Sequence, residues 1–402
     1  MTVGRSLVAA AAVFGSGLTA AVALPNAPMG PTGSAVKLVV SPTTALLDQP
    51  VDVIVSGLRP NQKIALVATT RDGVKRGWRS RLLFNANGNG VVDTRSNMKP
   101  FWSMRPVRRA SASTNYVLSL QAEPVVIRAE LDGHVVASAT LVRRIHAPDV
   151  TMKEMTVARD GFVGTYFSPT VGPPAPAVLR LSGSLGGHSP FRAALLASHG
   201  YSTLSLGYIR EPSLPTHRTQ VPFEYFAKAL RWLGAQPGVD PQRVIVLGLS
   251  LGGEAALLLG ATYPELVHGV VACTTNAQVT RPIWTVGGQP IPYGPIPVER
   301  IAGPVLVTGG GKDAALPSAI FTQWIVERAR TYGRTDIVGR IYPKAGHSVG
   351  CDVPNVPPSQ VVVAKDGFGR RVVLYTGGTR VANALAAAAS WPLVPRFLRT
   401  LP

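Results

Sequence analysis

The sequence predicts an α/β protein in two parts, an antiparallel β-sandwich followed by a mostly parallel sheet with helices on both faces. Short runs rich in Val, Ile and Leu, separated by turn residues, fill the first part. In the second part such runs alternate with helical segments, which is typical of a parallel sheet. These later runs are almost continuously apolar, as strands buried on both faces must be. We therefore predict a β-sandwich over residues 35–146 and a sheet-and-helix domain over residues 150–402.

The first part contains five predicted strands and no convincing helical period. They are VKLVVSP, VDVIVSGL, KIALVATT, NYVLSLQA and VVIRAELDG. Turn residues such as SPTT, RPNQ, RDG and NANGNG separate several of these runs.

The second part has the alternating pattern. The predicted strands are APAVLRLSGS, YSTLSLGY, RVIVLGLS, HGVVACTT, GPVLVTGG and DIVGRIYP. The predicted helices are PFRAALLASHG, ending on Gly200, FEYFAKALRWLGAQ and GEAALLLGATY. The terminal NALAAAASWPLVPRFLRTL is predicted to be a packed helix.

The chain is basic but has no block of like charge. It has 402 residues, of which 46% are hydrophobic, and a net charge of +19 with a pI near 10.6. This balance suits an anionic partner, such as a polyanionic small molecule. We interpret the densest basic clusters, residues 71–81 and 105–109, as solvated surface, with attraction of a ligand as the alternative. A nucleic-acid partner is not predicted, because net charge alone would support it.

The N-terminal stretch MTVGRSLVAAAAVFGSGLTAAVALPNAP resembles a secretory signal peptide. Arg5 is its only charge, and the apolar run ends in the cleavage pattern Ala21-Val22-Ala23. We predict a signal peptide over residues 1–23 and export to the cell envelope or medium. The run is nearly long enough to span a bilayer, so an uncleaved membrane anchor is one alternative. A buried N-terminal segment is another.

The cysteines limit metal and redox chemistry. There are two, Cys273 and Cys351, with no CxxC pattern, and they cannot form a metal site alone. Whether they pair is left open by the sequence. No P-loop or dinucleotide-binding motif is present, so we predict no cofactor and no metal.

The stretch VIVLGLSLGGEAALLLG places Ser250 between two glycines where a buried strand meets a helix. Such a sharp turn exposes the hydroxyl above the sheet and brings the helix amides to the site of a developing oxyanion. The motif therefore predicts a nucleophile elbow and an α/β-hydrolase fold. The alternative is an ordinary tight turn.

A serine nucleophile needs a base and an acid, which follow it in this fold. Only His268 and His347 come after Ser250, and His268 follows too soon and precedes a strand. His347, on a loop after a strand, is the predicted general base. Asp313, just past the strand at Val305, is the predicted acid, and a helix N-cap is its alternative role.

The oxyanion hole requires two backbone amides. We predict one from Leu251, directly after the nucleophile. The other should come from a loop after an earlier strand, and LRLSGSLGGHSP offers Ser184 or Leu185 there. A simple glycine turn is the alternative.

These motifs, in this order, resemble the family of acyl-CoA thioesterases and bile acid-CoA:amino acid N-acyltransferases. The resemblance covers nearly everything after the leader. It is carried by the segments LLDQPVDVIVSGLRPNQKIALVATTRDG, SGSLGGHSPFRAALLASHGYSTLSLGY, FEYFAKALRWLGAQPGVDPQRVIVLGLSLGG, GKDAALPS, YPKAGHSV and GGTRVANALAAAASWPLVPRFL.

The resemblance implies Ser250 as nucleophile, Asp313 as acid and His347 as base. It also implies water as the acyl acceptor, because the amidating members have Cys where Ser250 stands. The expected substrate is a small-molecule acyl thioester, fatty acyl-CoA above all. One departure is Leu251, where the family commonly has a basic residue.

Three functions are compatible with the sequence. The first is a serine hydrolase of acyl thioesters. The second is a carboxylesterase, acyltransferase or peptidase with the same triad. The third is a non-catalytic, secreted binding protein of this fold. Because the Ser250, Asp313 and His347 set is intact, the first is preferred.

Overall fold

The computed structural model describes residues 35–402 except 96, 109–113, 171, 212, 215–218, 348 and 366–370. The predicted signal peptide or anchor, residues 1–23, lies outside the described residues. Residues 36–402 form one compact unit. Within the described part of the chain, no helix has the length and apolar character needed to cross a membrane.

The strands and helices follow one another along the whole described chain. The strands are β1 (Lys37–Ser41), β2 (Thr44–Leu46), β3 (Asp52–Ser56), β4 (Lys63–Arg71), β5 (Gly77–Asn85), β6 (Val92–Asp93), β7 (Arg105–Pro106), β8 (Glu123–Leu131), β9 (His134–Arg144), β10 (Val150–Met155), β11 (Val163–Pro169), β12 (Ala175–Leu181), β13 (Thr203–Gly207), β14 (Val221–Pro222), β15 (Val239–Leu249), β16 (Val270–Cys273), β17 (Gln278–Val279), β18 (Trp284–Val286), β19 (Gln289–Pro290), β20 (Gly294–Pro295), β21 (Val305–Gly310), β22 (Ile337–Tyr342), β23 (Val361–Lys365) and β24 (Arg371–Tyr375). The helices are α1 (Lys99–Trp102), α2 (Val157–Asp160), α3 (Pro190–Ala197), α4 (Phe223–Gly234), α5 (Leu251–Thr262), α6 (Ser318–Thr331), α7 (Arg380–Ser390) and α8 (Leu393–Arg399), with a 3₁₀ turn at Val298–Arg300.

The N-terminal part contains the predicted β-sandwich. A three-stranded sheet, β1-β3-β6, accompanies a six-stranded sheet, β2-β9-β8-β4-β5-β7, and every pairing except β2 with β9 is antiparallel. Alternate residues of β3 and β5 are buried, as expected for sheets that cover a core with one face. Trp78 and Phe101 are among the largest side chains of this core.

The second part contains the predicted α/β-hydrolase sheet. Its eight strands have the order β10-β11-β13-β12-β15-β16-β21-β22, and the five pairings from β13 to β22 are parallel. Successive residues of each central strand enter opposite cores. In β15, for example, Val246 packs with α4 and α5, and Ile245 packs with α3 and α8. This double burial explains the unbroken apolar runs in the sequence.

Three local predictions were wrong. The run NYVLSLQA forms no strand. It is half buried, and its carbonyls accept hydrogen bonds from a loop, as Val117 O does from Gly73 N. The helix expected to end on Gly200 already ends at Ala197. The terminal helix is divided into α7 and α8, because the ring of Pro392 removes a backbone donor.

Candidate active site

Ser250 lies on the sharp turn between β15 and α5, at the carboxyl end of the sheet. Its φ of 57° and ψ of −119° are rare for a residue with a side chain. The flanking glycines make the turn possible. A Cβ on Gly248 would lie 2.6 Å from Gly253 N, and one on Gly252 would lie 2.8 Å from Leu181 O. The motif therefore allows the close backbone approach expected of a nucleophile elbow.

Asp313 and His347 are in direct contact. His347 Nδ1 lies 2.9 Å from Asp313 Oδ2, and both side chains are almost wholly buried, at 6% and 1% exposure. Since an ionised carboxylate only accepts, Nδ1 carries the proton and donates it in this bond. Nε2 of a neutral His347 is then left with a free lone pair, as a general base requires.

Further donors hold the Asp313 carboxylate. Oδ1 accepts from the amides of Ala315 and Leu316, at 2.8 and 3.0 Å, and Oδ2 also accepts from Ser318 Oγ at 2.6 Å. These bonds fix the orientation of the carboxylate. Asp313 thus closes a turn before α6 and contacts His347, whereas the N-cap position of α6 is Pro317, so the alternative role of Asp313 as a helix N-cap is not what the structure has.

The backbone of His347 is fixed on two sides. Its N–H donates to Thr376 O at 2.6 Å, at the end of β24, and its carbonyl accepts from Thr274 Oγ1. The preceding Gly346 N donates to Asn383 Oδ1 at 2.9 Å, on α7. The β23–β24 hairpin and α7 therefore carry the histidine loop, residues 343–358. Sequence patterns missed these supports, because single Thr and Asn residues distant in sequence have no local signature.

The segment that follows β16 connects Ser250 with His347. Ser250 N donates to Cys273 O at 2.8 Å, and Thr275 Oγ1 donates to Ser250 O at 3.2 Å. Between these two residues, Thr274 donates to His347 O. Cys273 is also joined to Cys351 of the histidine loop by a disulfide, which answers the pairing question. One short segment therefore contacts the backbones of both residues.

The glycine loop, residues 182–188, lies beside Ser250. A Cβ on Gly183 would lie 3.3 Å from the Ser250 Cβ. Ser184 and Leu185 are the central residues of a turn closed by Gly186 N donating to Gly183 O at 3.0 Å. Both residues offered for the oxyanion hole are thus on the loop that borders Ser250, in the turn that the alternative proposed.

Leu251, the other residue predicted for the oxyanion hole, begins α5. The amide of a first helical residue has no carbonyl four residues back within the helix, so it is open to an external acceptor. The Leu251 side chain is buried in the core beneath the elbow. Leu251 therefore contributes a packing contact at the position where the family commonly has a basic residue.

A buried arginine supports the start of the glycine loop. Arg180, 1% exposed, donates from Nη1 to Ser182 Oγ at 2.6 Å. Burial, followed by the nearby charge of Arg192, lowers the pKa of Arg180 to about 9. Tyr208 donates its hydroxyl proton to Ser182 O at 2.7 Å. Two polar groups thus fix the first residue of the loop.

A buried carboxyl lies below the elbow, on α5. Glu254 accepts from Asn276 Nδ2 at 2.6 Å and from Trp284 Nε1 at 2.8 Å. Burial raises the pKa of Glu254, and these two bonds oppose the rise. The contacts fix α5 to the segment after β16, which also contacts Ser250.

The sandwich supports the histidine loop directly. Arg143 of β9 is buried and donates to Asn355 O and to Leu47 O, both at 2.9 Å. Asn355 Nδ2 also donates to Leu47 O, at 3.1 Å. The N-terminal part therefore forms hydrogen bonds with the loop that carries His347.

The described residues contain no group of three His, Cys, Asp or Glu side chains arranged to bind a metal. A cavity of about 930 Å³ opens at the amino edge of the parallel strands, near Ala175 and Gly238. Ser250 follows the carboxyl end of β15, so this cavity is at the wrong edge of the sheet for a ligand of the elbow.

Known proteins confirm the resemblance drawn from the motifs. Residues 48–157 match the family model for the N-terminal region of acyl-CoA thioester hydrolases and BAAT. Residues 221–295 and 289–401 match the BAAT/acyl-CoA thioester hydrolase C-terminal model. The chain belongs to this family.

Its relatives in the family include acyltransferases and thioesterases. Acyl-coenzyme A amino acid N-acyltransferase 1 of Mus musculus is 26% identical, with 90% of this chain and 97% of the relative covered. Acyl-coenzyme A thioesterase 6 of Mus musculus is 26% identical, with 88% and 93% covered. Acyl-coenzyme A thioesterase 1 of Rattus norvegicus is 28% identical, with 75% and 82% covered. The shared substrate type in these names is an acyl-CoA, whereas hydrolysis and transfer differ between them.

Proposed function

We propose that the chain is a serine hydrolase that cleaves fatty acyl-CoA to the free acid and CoA. The observation that carries the proposal is the bond between Asp313 and His347, whose loop is tied to the elbow of Ser250. Family membership supports acyl-CoA as the substrate class.

The first half-reaction forms an acyl-enzyme. His347 Nε2 takes the proton of Ser250 Oγ as Oγ bonds to the thioester carbonyl carbon. The carbonyl electron pair moves onto its oxygen, where the amide of Leu251 and one from Ser184 or Leu185 would stabilise the charge. When the carbonyl re-forms, the C–S bond breaks, and the imidazolium of His347 returns its proton to the departing sulfur.

The second half-reaction releases the acid. His347 takes a proton from a water molecule, whose oxygen attacks the ester carbonyl of acyl-Ser250. The tetrahedral intermediate then expels Ser250 Oγ, which regains its proton from His347. Asp313 accepts the hydrogen bond from His347 Nδ1 throughout and stabilises the imidazolium of His347 in both steps.

The nucleophile type favours hydrolysis over transfer to an amine. By the resemblance, the amidating members of the family have Cys where this chain has Ser250. Relatives named as N-acyltransferases are nevertheless as similar as those named as thioesterases, so the test includes amine acceptors.

We also propose that the enzyme is exported through residues 1–23. The leader pattern supports this, and a buried disulfide is typical of proteins that fold in an oxidising compartment. Mass spectrometry of protein from the envelope and medium fractions tests it. An N-terminus near residue 24 is expected, and full-length protein in the cytoplasmic fraction would refute export.

The decisive experiment is turnover by the purified protein on a series of saturated acyl-CoA esters. Free CoA is measured with a thiol reagent, beside hydrolysis of p-nitrophenyl esters. Each reaction is run with and without glycine or taurine. The variants are Ser250→Ala and, as a control, Ser138→Ala, whose serine is exposed on β9.

CoA release that disappears in Ser250→Ala and persists in Ser138→Ala is the expected result. Acyl-glycine or acyl-taurine as the main product would make the enzyme a transferase. Cleavage of esters without thioesters would make it a carboxylesterase. No turnover, with no labelling of Ser250 by a fluorophosphonate, would favour a non-catalytic binding protein.

A further inference from the structure

His188, the last residue of the glycine loop, has a hydrogen-bond partner on each ring nitrogen. Nδ1 lies 2.6 Å from Glu211 Oε1, and Nε2 lies 2.9 Å from Thr165 Oγ1. The His188 side chain is 17% exposed. The fold thus holds an imidazole between β11 and the segment that follows β13.

The partners of His188 fix how its ring is oriented. An ionised carboxylate only accepts, so Nδ1 carries a proton and donates it to Glu211. Thr165 Oγ1 faces Nε2 and also lies 3.1 Å from both carboxylate oxygens of Glu154. A hydroxyl can donate or accept, so Thr165 completes a hydrogen bond at Nε2. His188 therefore bonds to β11 and to the segment after β13 at the same time.

The same network holds the loop beside Ser250. Gly187 N donates to Ile209 O at 2.9 Å, and Arg210 Nη1 donates to Leu185 O at 3.0 Å. Glu211 follows Arg210 directly in the chain. Its bond to His188 therefore adds a third contact between the glycine loop and residues 209–211, at the last residue of the loop. A bond to an ionised group is about twice as strong as a neutral one. His188 thus contributes a charge-assisted link between the loop and residues 209–211.

We propose that His188 is a positioning residue that fixes the glycine loop for oxyanion binding at Ser250. This inference rests on the proposed function. Without the imidazole, the loop loses its bonds to Glu211 and Thr165 and is free to shift. Small displacements of catalytic groups reduce turnover strongly. The effect falls on kcat, because the oxyanion exists only in the transition state and the intermediates.

The charged groups around His188 come from each element packed against it. Glu154 on β10 lies behind Thr165, and Glu211 faces Nδ1. Arg210 is the cation of the neighbouring segment. Tyr225 on α4 lies close to Glu211, and its burial is the main reason that its pKa is raised to about 12. Tyr225 is therefore neutral over the working range, and the charged groups that face His188 and Thr165 are the two carboxylates.

The test uses three variants of the full chain with acyl-CoA as substrate. His188→Gln keeps an amide near the place of Nε2 but has no donor where Nδ1 stands. His188→Asn keeps an amide donor at the place of Nδ1, next to Glu211. His199→Gln is the matched control, because His199 also pairs with a carboxylate, Asp48 at 2.5 Å, away from the glycine loop.

His188→Gln should lower kcat about tenfold with KM changed less than about twofold. His188→Asn should recover most of the wild-type kcat, because it restores the bond to Glu211. His199→Gln should behave as wild type. Unchanged kcat in His188→Gln would overturn the inference. So would a His188→Asn enzyme as impaired as His188→Gln, because the bond to Glu211 would then not position the loop.

A second measurement separates this inference from the proposed function. ¹⁵N NMR of wild-type protein labelled on histidine reports the ring protons of His188, whether or not the enzyme turns over. A proton on Nδ1, the atom that faces Glu211, is expected, and an unprotonated Nδ1 would overturn the inference even if variants misfold. If Ser250 neither turns over substrate nor reacts with a fluorophosphonate, the proposed function fails, and the positioning role fails with it.

Discussion

Cys273 and Cys351 form a buried disulfide that joins the strand beside Ser250 to the loop of His347. The two residues are 78 positions apart in sequence, and each is at most 1% exposed. Cys273 O accepts the amide proton of Ser250, and Cys351 follows His347 by four residues. One covalent bond therefore connects the two halves of the candidate site.

Replacing both cysteines by alanine should destabilise the fold and reduce turnover. Closing a loop of this length restricts the unfolded chain by about 4 kcal/mol in the chain-entropy model. Urea unfolding of Cys273→Ala/Cys351→Ala should show a loss of this order. As a control, wild type unfolded and refolded in dithiothreitol should approach the variant. Equal unfolding free energies for oxidised wild type and variant would show that the bond adds no stability.

Ser318 should matter to catalysis through Asp313. Ser318 Oγ donates to Asp313 Oδ2 and accepts from Gly310 N at 3.0 Å. Ser318→Ala removes one of the donors that orient the carboxylate, so kcat should fall several-fold with little change in KM. Asp313→Asn should cost about 10³–10⁴ in kcat, since an amide can hold His347 in the wrong tautomer.

Steady-state kinetics of both variants beside Ser138→Ala test this order. A Ser318→Ala enzyme with wild-type kcat would mean that the remaining donors suffice. A loss as large as that of Asp313→Asn would mean that Ser318 is needed to place the acid at all.

The main sheet could be predicted because its signal is local. The parts of its central strands that are buried on both faces are almost continuously apolar, so β12, β15 and β21 are visible in isolation. Ser250, Asp313 and His347 were proposed from the turn chemistry around each residue and their order in the chain. The structure places Asp313 and His347 in contact, while the catalytic roles of all three residues stay a proposal.

The supporting contacts could not be predicted because they join distant, common residues. Thr274 meets His347 across 73 positions, and Arg143 meets Asn355 across 212. Thr hydroxyls and Arg side chains form hydrogen bonds in every protein, and only the fold determines which partner each one contacts. The false strand NYVLSLQA fails for the same reason, since an extended apolar run pairs only where a sheet edge is open to it.

Glu254 should make stability fall with rising pH. Burial raises its pKa in the folded state above the ordinary value of 4.5. Between 4.5 and the raised value, the folded protein binds more protons at this site than the unfolded chain does. Its contribution to the free energy of unfolding is therefore present at low pH and lost as pH rises through the folded pKa.

Glu254→Gln should remove that slope. Unfolding in urea from pH 4.5 to 7.5 should show the variant gaining stability relative to wild type as pH rises. Glu265→Gln, at an exposed glutamate, is the matched control and should follow wild type. Parallel curves for Glu254→Gln and wild type would show that Glu254 does not titrate differently on folding.

Two glycine-to-alanine changes in helices should have opposite effects. A Cβ on Gly252 of α5 would overlap Ser182 O and lie 2.8 Å from Leu181 O, and backbone carbonyls at a strand end cannot turn away. A Cβ on Gly234 of α4 would meet nothing closer than 3.8 Å, which is ordinary contact. Gly252→Ala should cost about 1–3 kcal/mol through overpacking, whereas Gly234→Ala should be neutral or stabilising by up to about 1 kcal/mol.

The two variants also separate stability from the geometry of the site. A Gly252 Cβ would displace the carbonyl of Ser182, the first residue of the glycine loop. Labelling of Ser250 by a fluorophosphonate should therefore be slower than in wild type, even at urea concentrations well below those that unfold the variant. Gly234→Ala should label at the wild-type rate. If Gly252→Ala labelled normally and unfolded at the wild-type urea concentration, the close approach of α5 to β12 would be wrong, because a methyl group would fit there without displacing the loop.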